Sequence, residues 1–203
     1  MDYNGYKINL LDIPGNDDFI SEVIGVAGVV KGAVLVVDAS VGVQVGTIKH
    51  YKQLKKKGVP TFIFVNKMDK EEVEFDLVLE EIRDKLGKEV ISFCYPLGHE
   101  KSFDGFANAV DLKAHIFNGK ECVEAEIYPD KRNKVLELHN TMVEAVASTS
   151  EELMEKFFSG ETLTNEEIQE GEAALRLRKI QPLPLFQRQQ PRPGGTGGPC
   201  LRP

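Results

Sequence analysis

The sequence has no tryptophan and only three cysteines in 203 residues. Cys94, Cys122 and Cys200 are far apart and odd in number, which suggests neither a disulfide framework nor a metal cluster of the short CxxC type; ordinary reduced thiols are expected. No apolar run approaches the roughly 20 residues that cross a bilayer, and Met1-Asp2-Tyr3-Asn4-Gly5 has no basic region followed by an apolar stretch. A cytoplasmic protein with no membrane partner is therefore the expectation. His50, His99, His115 and His139 show no metal-ligand spacing, so packing or surface roles are expected of them. The last acidic residue is Glu172. Beyond Glu172 come Arg176, Arg178, Lys179, Arg188, Arg192 and Arg202 without an acidic residue, so the net charge of −7 divides into about −13 for the body and about +6 for the tail. An acidic body argues against general charge-driven nucleic-acid binding, and no direct DNA binding is expected.

What is present is an alternation of short β-branched runs with amphipathic stretches, the pattern of a parallel sheet with crossover helices. Tyr6–Leu11 reads as a strand, then Pro14-Gly15 as a turn and Asp18–Val30 as a helix. Gly32–Asp38 is nearly all apolar, as expected of a strand covered on both faces. Thr47–Lys57 is helical and ends in Lys55-Lys56-Lys57 before Gly58, a solvated basic end that suits the helix dipole and a glycine stop. Thr61–Val65 is the next strand and Phe75–Leu86 the next helix, closed by Gly87. From Glu89 to Gly171 the rhythm changes. Strands are expected at Glu89–Tyr95 and Val110–Phe117, and a helix at Lys131–Ala147 with Val135, Leu138, Met142 and Val146 on one face. Ser148 with Glu151, and Thr164 with Glu167, read as capping boxes that start two more helices. Six of the ten prolines and two Gly-Gly pairs follow residue 172, so residues 172–203 are expected to be disordered.

Two loops carry chemistry. Asp12-Ile13-Pro14-Gly15 follows the first strand; at the carboxyl edge of such a sheet an aspartate can orient a water on magnesium, and a glycine amide can face a terminal phosphate. The same four residues are also simply a good turn. Asn66-Lys67-Met68-Asp69 follows another apolar strand. Guanine offers two adjacent N–H donors that the Asp69 carboxylate can accept, Asn66 can brace the loop, and Lys67 can lay its methylene stem along the purine face. The competing interpretation is a polar strand-to-helix loop in which Asp69 or a neighbour caps the next helix.

Taken in this order, each after a buried strand, the two loops resemble the translational GTPases of the elongation factor G type, in which NKMD reads guanine and DxPG senses the terminal phosphate. Residues 89–171 are similar to the subdomain inserted in that family's nucleotide domain, through Tyr95-Pro96-Leu97-Gly98, Phe103-Asp104-Gly105 and the Glu151–Phe157 stretch. The resemblance implies an α/β fold: an incomplete P-loop GTPase-type parallel sheet over residues 1–88, a smaller inserted α/β subdomain over residues 89–171, and a tail over residues 172–203. It implies GTP or GDP and Mg2+ as ligands. The nucleotide-binding residues would be Asp12, Pro14, Gly15, Asn66, Lys67 and Asp69, with Asp12 reaching the metal through water. The implied partners are the ribosome and its stalk protein.

Three departures qualify the match. The phosphate-cradling GxxxxGK[ST] pattern, expected upstream of Asp12, occurs nowhere in the 203 residues, nor does the switch threonine, so GTP binding no tighter than about millimolar is expected. Asn16 stands where the family's DxPGH places its catalytic histidine; an amide cannot titrate near neutrality, so poor hydrolysis is expected. The tail replaces a further strand and a Ser-Ala element, and its composition fits either an out-of-frame reading or a natural flexible tail. A sheet without its phosphate-loop strand would leave two apolar strand edges that collapse together or stay exposed, with a tendency to associate. Two other classes compete: a nucleotide-independent module that binds the ribosomal stalk, and a receiver-like signalling domain with Asp12, Asp38 and Lys67 as its pocket.

Overall fold

The computed structural model describes residues 2–3, 5–98, 104–118, 121–161, 163–164, 166–168, 170–171 and 181–183. Two strands organise the first unit. Strands β3 (Ala33–Asp38) and β4 (Thr61–Asn66) pair in parallel, in register from Ala33 opposite Thr61 to Asp38 opposite Asn66. Between them runs α2 (Val45–Lys57), which stops at Gly58: its φ of 70° is left-handed, and the Val59 amide returns to the Leu54 carbonyl at 3.0 Å. Helix α3 (Phe75–Leu86) buries Phe75, Val78, Leu79, Ile82 and Leu86, one face at helical spacing.

The chain begins differently from the expected strand over Tyr6–Leu11. Two-residue strands β1 (Asp2–Tyr3) and β2 (Tyr6–Lys7) pair antiparallel, with Gly5 at φ 79° in the turn. Tyr6 and Lys7 are thereby paired locally and not in the parallel sheet. Ile8–Leu11 is therefore outside any strand, with Leu10 and Leu11 exposed. A short 3-10 turn (Asp17–Phe19) leads into α1 (Ile20–Val26), inside the predicted helical span.

This start bears on β3. The strand was expected to be covered on both faces; instead Leu35 and Val37 point into the core while Val34 and Val36 are 64% and 57% exposed. That exposure is of one face of the strand, Val34 and Val36 alternating with the buried Leu35 and Val37.

Beyond α3 the chain forms β5 (Val90–Ser92), then a four-stranded antiparallel sheet in the order β6 (Cys94–Leu97), β7 (Gly105–Asn108), β8 (Lys113–Phe117), β9 (Cys122–Ala125). The expected strand over Glu89–Tyr95 is thus two strands in different sheets, broken at Phe93, and that over Val110–Phe117 starts only at Lys113. Gly105 is explained by close approach: a Cβ there would lie 1.9 Å from the His115 carbonyl oxygen on β8. Helix α4 (Arg132–Ala147) buries Val135, Leu138, Met142 and Val146 as its spacing predicts. Helix α5 (Glu151–Ser159) is preceded by Ser150 in extended conformation, so the expected box of Ser148 and Glu151 does not form; the Ser148 hydroxyl turns back to the Ala145 carbonyl at 2.6 Å. The second box does form: the Thr164 amide donates to Glu167 Oε2 at 2.9 Å, and the Glu167 amide donates to Thr164 Oγ1 at 3.2 Å.

One contiguous core runs from Leu35, Val37 and Ile63 through Ile82 and Leu97 to Val135, Met142 and Ile168, so the two units share an interior. Within residues 172–203, β10 (Gln181–Leu183) pairs in parallel with β5. The rest of 172–203 lies outside the described residues, as do His99 and Phe103. Cys94 is a buried thiol.

Candidate functional site

Parallel pairing in register brings the last residues of β3 and β4, Asp38 and Asn66, side by side. The Ala39 amide continues the ladder by donating to the Asn66 carbonyl at 2.9 Å, so both loops leave the same edge of the sheet. Lys67 takes a left-handed backbone with φ 62°, uncommon for a residue with a side chain. Met68 then dips into the core at 6% exposure and pins the loop, while half-buried Asp69 stands beyond it and the Lys70 amide closes the turn on the Lys67 carbonyl at 3.2 Å. The alternation is polar, polar, apolar anchor, polar. It holds Asn66, Lys67 and Asp69 on one short, braced loop.

The Lys67 ammonium is paired with the Asp38 carboxylate. The other oxygen of that carboxylate accepts from the Ser40 amide at 3.0 Å and the Ser40 hydroxyl at 2.6 Å. Burial pushes the Asp38 pKa up, but the bonds from Lys67 and Ser40 outweigh it, and the group titrates below the ordinary carboxylate value. Sequence reasoning placed Asp38 in a site only for the receiver-like alternative. The available signal was its position, ending one apolar strand just as Asn66 ends the next.

Asp12, Pro14, Gly15 and Asn16 are placed otherwise. They lie in the exposed stretch between β2 and the 3-10 turn, in no strand of the parallel sheet. Nothing lies within 4 Å of where a Cβ on Gly15 would sit, so no close approach requires glycine there. The Asn16 carbonyl accepts from the Phe19 amide at 3.0 Å and so helps start the 3-10 turn. The structure therefore brings Asn66 and Lys67 beside Asp38, with Asp69 two residues further along the same loop, and leaves the DxPG residues out of the sheet.

The sequence model of the elongation factor Tu GTP-binding domain matches residues 1–180. The chain belongs to the elongation factor Tu GTP-binding domain family. A protein of Thermus thermophilus, known from its crystal structure, is similar at a TM-score of 0.82 with 31% identity over 92% of this chain. This chain spans only 28% of the length of that protein. The chain is thus a GTP-binding domain of the translational GTPase class, and the receiver-like alternative is set aside.

An elongation factor Tu GTP-binding domain implies GTP or GDP with Mg2+, and the residues present fit these ligands in part. The Asn66–Asp69 loop, braced by Met68, offers the carboxylate and amide that a guanine edge needs. On the phosphate side, GxxxxGK[ST] does not occur within these 203 residues and Asp12 is exposed outside the sheet. Among the described residues no helix is long and apolar enough to cross a membrane.

Proposed function

We propose that these residues form the guanine-recognising part of an elongation factor G-type translational GTPase. Residues 1–88 would be its partial GTP-binding domain, residues 89–171 the inserted subdomain, and residues 172–203 a separate tail. The observation that supports this most is the braced Asn66–Asp69 loop at the carboxyl end of a parallel strand pair. In this reading Asp69 accepts the two adjacent guanine N–H donors, Asn66 braces the loop, and the Lys67 stem covers the purine face. Asp12, Pro14 and Gly15 would meet a terminal phosphate and, through water, a magnesium ion only once their segment docks on the sheet.

Binding by these 203 residues would be weak, because backbone amides and a lysine around the phosphates supply much of the affinity in such sites. Asn16 in the histidine position makes hydrolysis poor even if phosphate contacts are restored. Calorimetric titration of the chain with GTP tests this: a Kd of about 1 mM or weaker is expected, and micromolar binding would overturn it.

The ribosome would be the site of action, with the inserted subdomain meeting the stalk protein. A second reading, binding to the stalk without nucleotide, is favoured by one observation: Met154, Phe157 and Phe158 are exposed on α5, and Phe157 borders a groove with Leu136 and Asn140 of α4. Capture of purified stalk protein by the nucleotide-free chain would support it. No capture at tens of micromolar would exclude it.

A further inference from the structure

The geometry points to Asp38 as a positioning residue for Lys67: its carboxylate clamps the ammonium so that the methylene stem is laid across the two strand tips before any purine arrives. The inference rests on reading the Asn66–Asp69 loop as a purine site, and it concerns a residue outside that loop.

Three observations combine. Asp38 is placed by the register of β3 on β4, in which it lies opposite Asn66, the residue immediately before Lys67. Its carboxylate cannot swing freely, because Ser40 holds one oxygen through both its amide and its hydroxyl while the other faces Lys67. The left-handed backbone of Lys67 sets the direction in which the side chain leaves the strand, so the ion pair fixes the far end of a stem whose near end is already fixed. A lysine stem is among the most costly side chains to order. Ordering it in the free protein removes that cost from binding, which is preorganisation in its simplest form. The guanidinium alternative would not serve equally: a planar fork on a stiffer stem would present a different surface to the base.

The clamp also predicts where selectivity comes from. Lys67 covers a face, which every purine has, whereas Asp69 reads an edge that only guanine completes. Loosening Asp38 should therefore weaken GDP and any residual ADP binding by the same factor and leave their ratio unchanged. A change at Asp69 should alter the ratio.

The test is a double-mutant cycle on the 203-residue chain, with GDP and ADP titrated at millimolar concentration and followed by the backbone amide signals of Asn66–Asp69. Asp38→Asn should weaken GDP about three- to tenfold, the range for ordering one rotamer-rich side chain at binding instead of before it. On a Lys67→Met background the same change should have no further effect. Ser40→Ala keeps the charge of Asp38 and loosens its carboxylate; it should give a smaller loss in the same direction, and it carries the test if Asp38→Asn does not fold. Unchanged GDP affinity, or an equal loss on the Lys67→Met background, overturns the positioning role and leaves the loop reading standing. If GDP moves none of these amides in the unsubstituted chain, the loop reading fails and this inference fails with it.

Discussion

The Tyr95 hydroxyl on β6 donates to Asp76 Oδ2 in the first turn of α3 at 3.2 Å, and Lys134 of α4 reaches the same oxygen at 3.7 Å. Asp76 thus ties the helix that follows the Asn66–Asp69 loop to a strand and a helix of the second unit. Phe75 and Tyr95 also meet edge to face, with ring centroids 5.3 Å apart. Tyr95→Phe keeps the ring contact and removes only the hydrogen bond. It should cost about 0.5–1.5 kcal/mol in chemical denaturation; no measurable loss would mean that the Asp76 contact is unimportant to the union of the two units.

The alkaline limb of stability should report the buried phenols. Desolvation, aided by Asp76, raises the Tyr95 pKa to about 12, and desolvation with the nearby Glu89 raises that of Tyr51 to about 12. Folded values above the unfolded value of about 10 mean that the folded state holds its phenolic protons more tightly. The associated stability is full below pH 10 and is lost as pH rises from 10 to 12. Absorbance of phenolate during an alkaline titration should show two groups ionising only as the chain unfolds, and Tyr51→Phe with Tyr95→Phe should remove both.

The opposite sign applies at Glu167. The bonds from Lys156 and from the Thr164 amide lower its pKa to about 2. Its contribution is present above the ordinary glutamate value and is lost as pH falls toward 2. Side-chain carboxyl NMR should place its midpoint near 2, and Lys156→Met should move that midpoint upward; an ordinary midpoint in the unsubstituted chain would show that the pair does not persist in solution.

Because the core is continuous, distant cavities should weaken the same transition. Ile63→Ala in β4 and Met142→Ala in α4, both fully buried, should each cost about 2–5 kcal/mol. Both should lower the midpoint of a single unfolding step by circular dichroism. Two separable transitions, each sensitive to one substitution, would show two independent cores.

What the sequence made legible was local. The Lys55–Gly58 stop of α2, the span of α3 and the buried face of α4 follow from periodicity and from residues that end helices, and all are in place. The strands β3 and β4 and the loop after β4 were likewise readable, because a continuous apolar run followed by a polar loop is itself the signal. Pairing was less legible. Tyr6–Leu11 has the composition of a strand but its ladder depends on a distant partner, and Tyr6–Lys7 pairs with the neighbouring Asp2–Tyr3 instead. Strands β7 and β9 are only four residues long, and β10 sits in a proline-rich stretch whose composition hides a three-residue pairing with β5. The Asp38–Lys67 pair spans 29 positions, so only the strand register reveals it.

The most direct test of the central claim, that the loop after β4 reads guanine, is amide-resolved NMR of the 203-residue chain with GDP and with ADP. Millimolar binding of GDP is expected with shifts concentrated on Asn66–Asp69, together with ADP binding weaker by about tenfold or more, as follows when a site built for paired donors is left unpaired, and loss of that preference in Asp69→Ala. Equal affinities for the two nucleotides, or shifts that bypass Asn66–Asp69, would contradict it.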